Sequence, residues 1–106
     1  MRVLFDQGTP APLRHLLSEH VVETAYERGW SSLQNGDLID AAEAAGFDVF
    51  VTTDRNLKYQ QNLAARRMTV VVLLTTSWPR IKAASAPVVT AVNEAVVGGY
   101  VEVTIP

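Results

Sequence analysis

The sequence predicts an α/β fold: a three-layer α/β/α sandwich built on a mainly parallel sheet of about five strands. Three observations predict it. Short apolar, β-branched runs recur near residues 2–5, 21–25, 48–52 and 69–74, and stretches with helical spacing lie between most of them. The runs VFV at 49–51 and TVVVLL at 69–74 are apolar without alternation, which is expected of strands covered on both faces, as in a parallel sheet. At 106 residues the chain is long enough for one core and too short for two, so residues 1–106 read as a single domain.

Taken in order, residues 2–5 form the first strand, closed by Asp6-Gln7-Gly8. Pro10 and Pro12 open a helix expected over 10–19, with Leu13, Leu16 and Leu17 turned inward. Residues 21–25 make a second strand and 26–34 a loop. From Asn35 a helix runs with Leu38, Ala41, Ala42 and Ala45 as a small-residue stripe, and Gly46 stops it. Residues 48–52 form the third strand, 56–67 a polar helix, and 69–74 the most strongly β-like segment, expected to be a central strand. Pro79 opens a last helix carrying Ile81, Val88, Val89, Val92 and Val96, which Pro87 should break or kink. After the Gly98-Gly99 turn, residues 100–105 alternate as an edge strand.

Hydrophobic residues make up 48% of the chain, yet no apolar run approaches the roughly 18 to 20 residues of a membrane-spanning helix. No membrane partner is expected, and the short run in MRVLFDQG does not read as a signal peptide. The chain has no cysteine, which excludes disulfides, thiolate nucleophiles and sulfur-bound zinc and suits a cytoplasmic location. His15 and His20 lie five apart, off a common helix face, so metal chemistry would rest on oxygen ligands and favour Mg²⁺ or Mn²⁺. The net charge of -2 hides an asymmetry. Residues 1–54 carry nine acids against Arg2, Arg14 and Arg28, whereas residues 55–106 carry Arg55, Lys58, Arg66, Arg67, Arg80 and Lys82 against Glu94 and Glu102. A basic cluster beside an acidic pocket suits a phosphate backbone, although a solvated face accounts for many such runs.

In an open parallel sheet, ligands bind beyond the carboxyl ends of the strands, near the point where strand order reverses. Asp6 and Asp54 follow the first and third strands, and Asp37 lies at a helix start that packs over the same edge. Three carboxylates crowded together repel one another unless a cation lies between them, and a divalent ion there also serves phosphodiester hydrolysis. Asp37 equally suits the positive end of a helix dipole, and Asp54 an Asx turn. Asp6 has no evident packing purpose. Arg55 and Lys58 are candidates for holding phosphate, as is Ser77 after the fourth strand, whereas Trp78 reads as a packing or interface residue.

Together FDQGTP, NGDLIDAAEAAGFDVFVTTDRNL and TVVVLL resemble the PIN-like nucleases, especially the short PIN-like proteins found beside small antitoxin genes in bacteria. The likeness covers roughly residues 1–75 and is most specific in the middle block. It implies an α/β/α sandwich whose acids bind Mg²⁺ or Mn²⁺ for endonucleolytic cleavage of RNA, with a cognate antitoxin protein as partner; a homodimer would instead rest on a self-complementary interface at the VVVLL strand or Trp78. By position Asp6, Asp37 and Asp54 match the family's catalytic and metal-binding acids, and Asn56 stands where the short family often has another Asp, leaving it to assist by hydrogen bonding. Full-length PIN domains add a Glu on an earlier helix, and Glu19, Glu23 and Glu27 are not its counterpart. That gap motivates an alternative: a PIN-like binding module, weak or inactive in catalysis, acting through a protein or RNA partner.

Overall fold

The computed structural model describes residues 1–57 and 66–106. Along the chain run strand β1 (Arg2–Phe5), a short 3-10 helix (Ala11–Leu16), β2 (Val21–Thr24), helix α1 (Asn35–Ala44), β3 (Val49–Thr52), β4 (Thr69–Leu73), α2 (Trp78–Ala83), α3 (Ser85–Asn93) and β5 (Tyr100–Val103). All five strands are parallel and form one sheet in the order β2-β1-β3-β4-β5. The order reverses between β1 and β3, so a crevice is expected beyond the carboxyl ends of those two neighbours.

Both faces of the sheet are covered. Val3, Phe5, Val49, Val51, Val71 and Leu73 point to one side, where Leu13, Leu17, Ile81, Val88 and Val92 from the 3-10 helix, its exit, α2 and α3 bury them. Leu4, Phe50, Val70 and Val72 point to the other, against Leu38, Ile39 and Ala42 of α1. Strands coated on both sides can bury every residue, and β3 and β4 do so along their whole length. The unalternating VFV and TVVVLL runs are the direct signature of that geometry. β4 has a neighbour on each side as expected, although the geometric middle of the sheet is β3.

Three expectations are corrected and one is met. The helix expected over 10–19 is six residues of 3-10 helix, with Leu13 and Leu17 buried and Leu16 only partly so. The inner face of α1 is Leu38, Ile39 and Ala42, and Ala41 and Ala45 are half-buried. The break expected of Pro87 is present, and the last helix is two helices, broken at Ala84. Pro87 has no N–H to give to the carbonyl four residues earlier, so the chain turns before it and restarts with Pro87 in a first turn, where the missing donor costs little. Val96 lies beyond the end of α3 and is 67% exposed, so it belongs to no buried helical face.

Gly46 ends α1 with φ of 85°, a left-handed conformation in which a side chain would be strained. β5 is an edge strand, as its alternation implied. Most of the helix expected over 56–67 lies outside the described residues. Among the described residues no helix is long and apolar enough to cross a membrane.

Candidate active site at the carboxyl edge of the sheet

Asp6 is the first residue past β1, and its backbone N–H donates to the Val51 carbonyl at 3.1 Å, which ties the turn after β1 to the end of β3. Its side chain is only 9% exposed. Oδ1 accepts the Thr9 N–H at 3.0 Å, and the Thr9 hydroxyl lies 2.7 Å from Oδ1 and 3.0 Å from the Val51 carbonyl. Oδ2 accepts the Thr52 hydroxyl. Burial pushes the Asp6 carboxyl above the usual carboxylate range, and the hydrogen bonds from Thr52, Thr9 and the Gly8 amide offset only part of that rise. The turn fits against β3 because residue 8 is glycine: a Cβ there would stand 2.6 Å from Thr53 Oγ1.

Thr52, the fully buried last residue of β3, joins the two acids. Its hydroxyl donates to Asp6 while its oxygen accepts the Asp54 N–H at 3.0 Å. Asp54 Oδ1 accepts the Asn56 N–H at 2.9 Å, closing an Asx turn, and Oδ2 accepts the amide of Asn35, the first residue of α1. Among the described residues each Asp54 oxygen therefore accepts one hydrogen bond and keeps lone-pair capacity. The Asp6 and Asp54 carboxylates each accept from their own neutral donors, and among the described residues neither forms an ion pair with a lysine or arginine.

The other sequence candidates are placed as follows. Asp37 is exposed in the first turn of α1, two residues beyond Asn35 and so on a different side of that turn. Among the described residues no group of three or more His, Asp or Glu side chains gathers closely enough to hold a metal ion. The structure thus joins Asp6 to Asp54 through Thr52 and leaves Asp37 outside that pair. Arg55 is exposed and its guanidinium donates to the Leu74 carbonyl just past β4. Asn56 is exposed and contributes its backbone N–H to Asp54. Ser77 caps α2, its Oγ accepting the Arg80 N–H at 3.4 Å. Lys58 lies outside the described residues.

Asp6 borders two clefts, one on each side of its turn. The broader, about 670 Å³, is walled by Gln7, Thr9, Thr24, Tyr26, Thr76 and Trp78. The narrower, about 220 Å³, is walled by Gln7, Trp30, Ser31, Leu33 and Asn35. A comparable hollow of about 620 Å³ at the opposite, amino-end pole is lined by Glu43, Phe47, Arg67 and Val96, far from this chemistry in the fold.

Thr9, Thr52 and Asn35 are the site residues that the sequence candidates did not include. Thr9 carried a local signal, a hydroxyl three residues after an acid. The donor set is carboxylate, hydroxyl and amide oxygen, without sulfur or imidazole, which is the chemistry that suits Mg²⁺ or Mn²⁺. No protein-family model, curated protein or solved structure matches the chain.

Proposed function

We propose that this chain is a PIN-like endoribonuclease dependent on Mg²⁺ or Mn²⁺, acting in the cytoplasm as the toxin of a bacterial toxin–antitoxin pair, with its antitoxin as protein partner. One observation carries the reading: Asp6 and Asp54 stand at the ends of adjacent strands, on the side of the sheet where strand order reverses, with Thr52 linking the Asp6 carboxylate to the Asp54 backbone N–H and both carboxylates met only by neutral donors among the described residues. Asp6 and Asp54 are the residues that would hold the ion, which when bound supplies a more acidic water and an electrophilic partner for a phosphate oxygen.

The chain's own groups do the rest. Thr52 fixes the Asp6 carboxylate and the Asp54 backbone in one geometry, and Asn35 ties α1 to Asp54. Arg55, Asn56 and Lys58 follow Asp54 in sequence and serve to hold the phosphate backbone; Ser77 serves it from the end of β4. The test is cleavage of single-stranded RNA by purified protein with Mg²⁺ or Mn²⁺. Wild type should cut and Asp6→Asn should not; equal cutting by the variant rejects the assignment.

A second reading, a binding module without catalysis, is favoured by the use already made of Asp6, whose two oxygens together serve Thr9, Gly8 and Thr52. Calorimetric titration with Mn²⁺ separates the readings. Binding that is lost in Asp54→Asn supports the nuclease, and heat-silent titration of wild type supports the module.

A further inference from the structure

The broad cleft beside Asp6 carries two aromatic side chains, and one of them has no packing role. Trp78, the first residue of α2, packs partly against the core while lining the cleft. Tyr26, just past β2, lines the same cleft with 78% of its surface exposed. A large ring left in water gains nothing for the core, and at the wall of a cleft it leaves a face open to a flat partner.

The turn that displays Tyr26 is firmly anchored. Ala25 N–H donates to the Phe5 carbonyl at 2.8 Å and Trp30 N–H to the Ala25 carbonyl at 2.8 Å, which pins both sides of the turn. Inside it, Glu27 accepts the Thr24 N–H at 2.9 Å and returns its own N–H to the Thr24 hydroxyl at 3.1 Å. Arg14 donates twice to the same Glu27, and that hydrogen bonding holds the Glu27 carboxyl down at about 2. An aromatic with two side-chain torsions on a fixed turn loses little freedom when a flat partner lies on it.

We infer that Tyr26 and Trp78 form a base-stacking subsite that takes an unpaired nucleobase next to the phosphodiester at Asp6; the inference rests on the ribonuclease reading for the nature of its ligand. The cleft volume of about 670 Å³ is in the range that encloses a nucleotide-sized ligand. Stacking on aromatic rings reads the face of a base, and that face is available in a single strand and hidden in a duplex. The subsite therefore selects unpaired RNA and orients the strand relative to the acids.

Binding of a fluorescein-labelled eight-residue oligoadenylate, followed by anisotropy in EDTA so that no cutting occurs, tests this apart from catalysis. Tyr26→Ala should weaken binding about tenfold, the loss of one base stack. Tyr26→Phe should bind like wild type, because the ring and not the hydroxyl stacks, and AMP alone should compete only weakly. Duplex RNA should bind wild type and Tyr26→Ala alike. Equal affinity of wild type and Tyr26→Ala for the oligoadenylate, failure of Tyr26→Phe, or no binding by wild type overturns the subsite, even where Asp6-dependent cleavage is seen. A Tyr26-dependent affinity in a protein that cuts nothing sustains the subsite and rejects the nuclease.

Discussion

The two ends of the sheet treat their acids differently. At the amino ends, charge is answered by charge: Asp40 and Glu43 of α1 both meet Arg66, the latter at 3.8 Å, and the Arg2 guanidinium lies 4.5 Å from the centre of the Phe47 ring. Asp48 there accepts the Arg2 backbone N–H at 2.8 Å. At the carboxyl ends, Asp6 and Asp54 are met by threonine hydroxyls, backbone amides and the Asn35 amide. Neutral dipoles stabilise an anion without cancelling it. Asp40 and Glu43 at the first end are paired with a cation of the chain, whereas among the described residues Asp6 and Asp54 at the second meet none.

The sharpest way to break that contrast is Asp6→Asn. Cleavage should fall roughly 100-fold or more, as for loss of one preorganised charge-stabilising group. Stability should hold or rise, because the amide keeps an acceptor for Thr9 and removes the cost of burying a charge. The sign of the pH effect follows. A carboxyl whose folded pKa is raised contributes stability that is fully present below its unfolded value, 3.8, and lost as pH rises through the folded pKa. Urea denaturation of wild type and Asp6→Asn across that acid range should show the difference between them shifting against wild type as pH rises. A variant that melts far below wild type at neutral pH would make Asp6 a structural acid.

A paired substitution sharpens the comparison at smaller cost. Thr52→Val at one end and Thr69→Val at the other each remove a buried hydroxyl, from the Asp6 and Asp54 bridge and from the Val96 carbonyl respectively. Each should cost about 1–2 kcal/mol in urea denaturation, the usual effect of a lost buried hydrogen bond. Only Thr52→Val should also depress cleavage; equal cleavage by the two would detach the bridge from function. The smallest effect belongs to Arg66→Ala. Its partner Asp40 is 61% exposed, so water screens the pair, and thermal melts should shift by less than about 1 kcal/mol with cleavage unchanged.

Much of this architecture was legible because it follows from local pattern. VFV and TVVVLL announce buried parallel strands, Gly46 announces the end of α1, and Pro87 announces a break. What local pattern hides is how tertiary packing trims it. Ile39 faces the core where the small-residue stripe favoured Ala41, and Val96 keeps the apolar spacing of a helix that has already ended. In the site, Asp6 and Asp54 could be picked out as acids at strand ends. Thr52 and Asn35 could not, since their value lies in partners 46 and 19 residues away along the chain. A hydroxyl or amide has meaning only once the strands are side by side.

The pairing of β1 with β3 carries a consequence for timing. Val3 aligns with Val49 and Phe5 with Val51, so the carboxyl-edge constellation joins segments that are remote in sequence. Such contacts are made late, after the entropy of closing a long loop has been met. A chain emerging from the ribosome has Asp6 long before it has Thr52 or Asp54. Whatever chemistry this edge performs is therefore withheld until the third strand has docked, and the appearance of that chemistry reports the completion of the fold's centre.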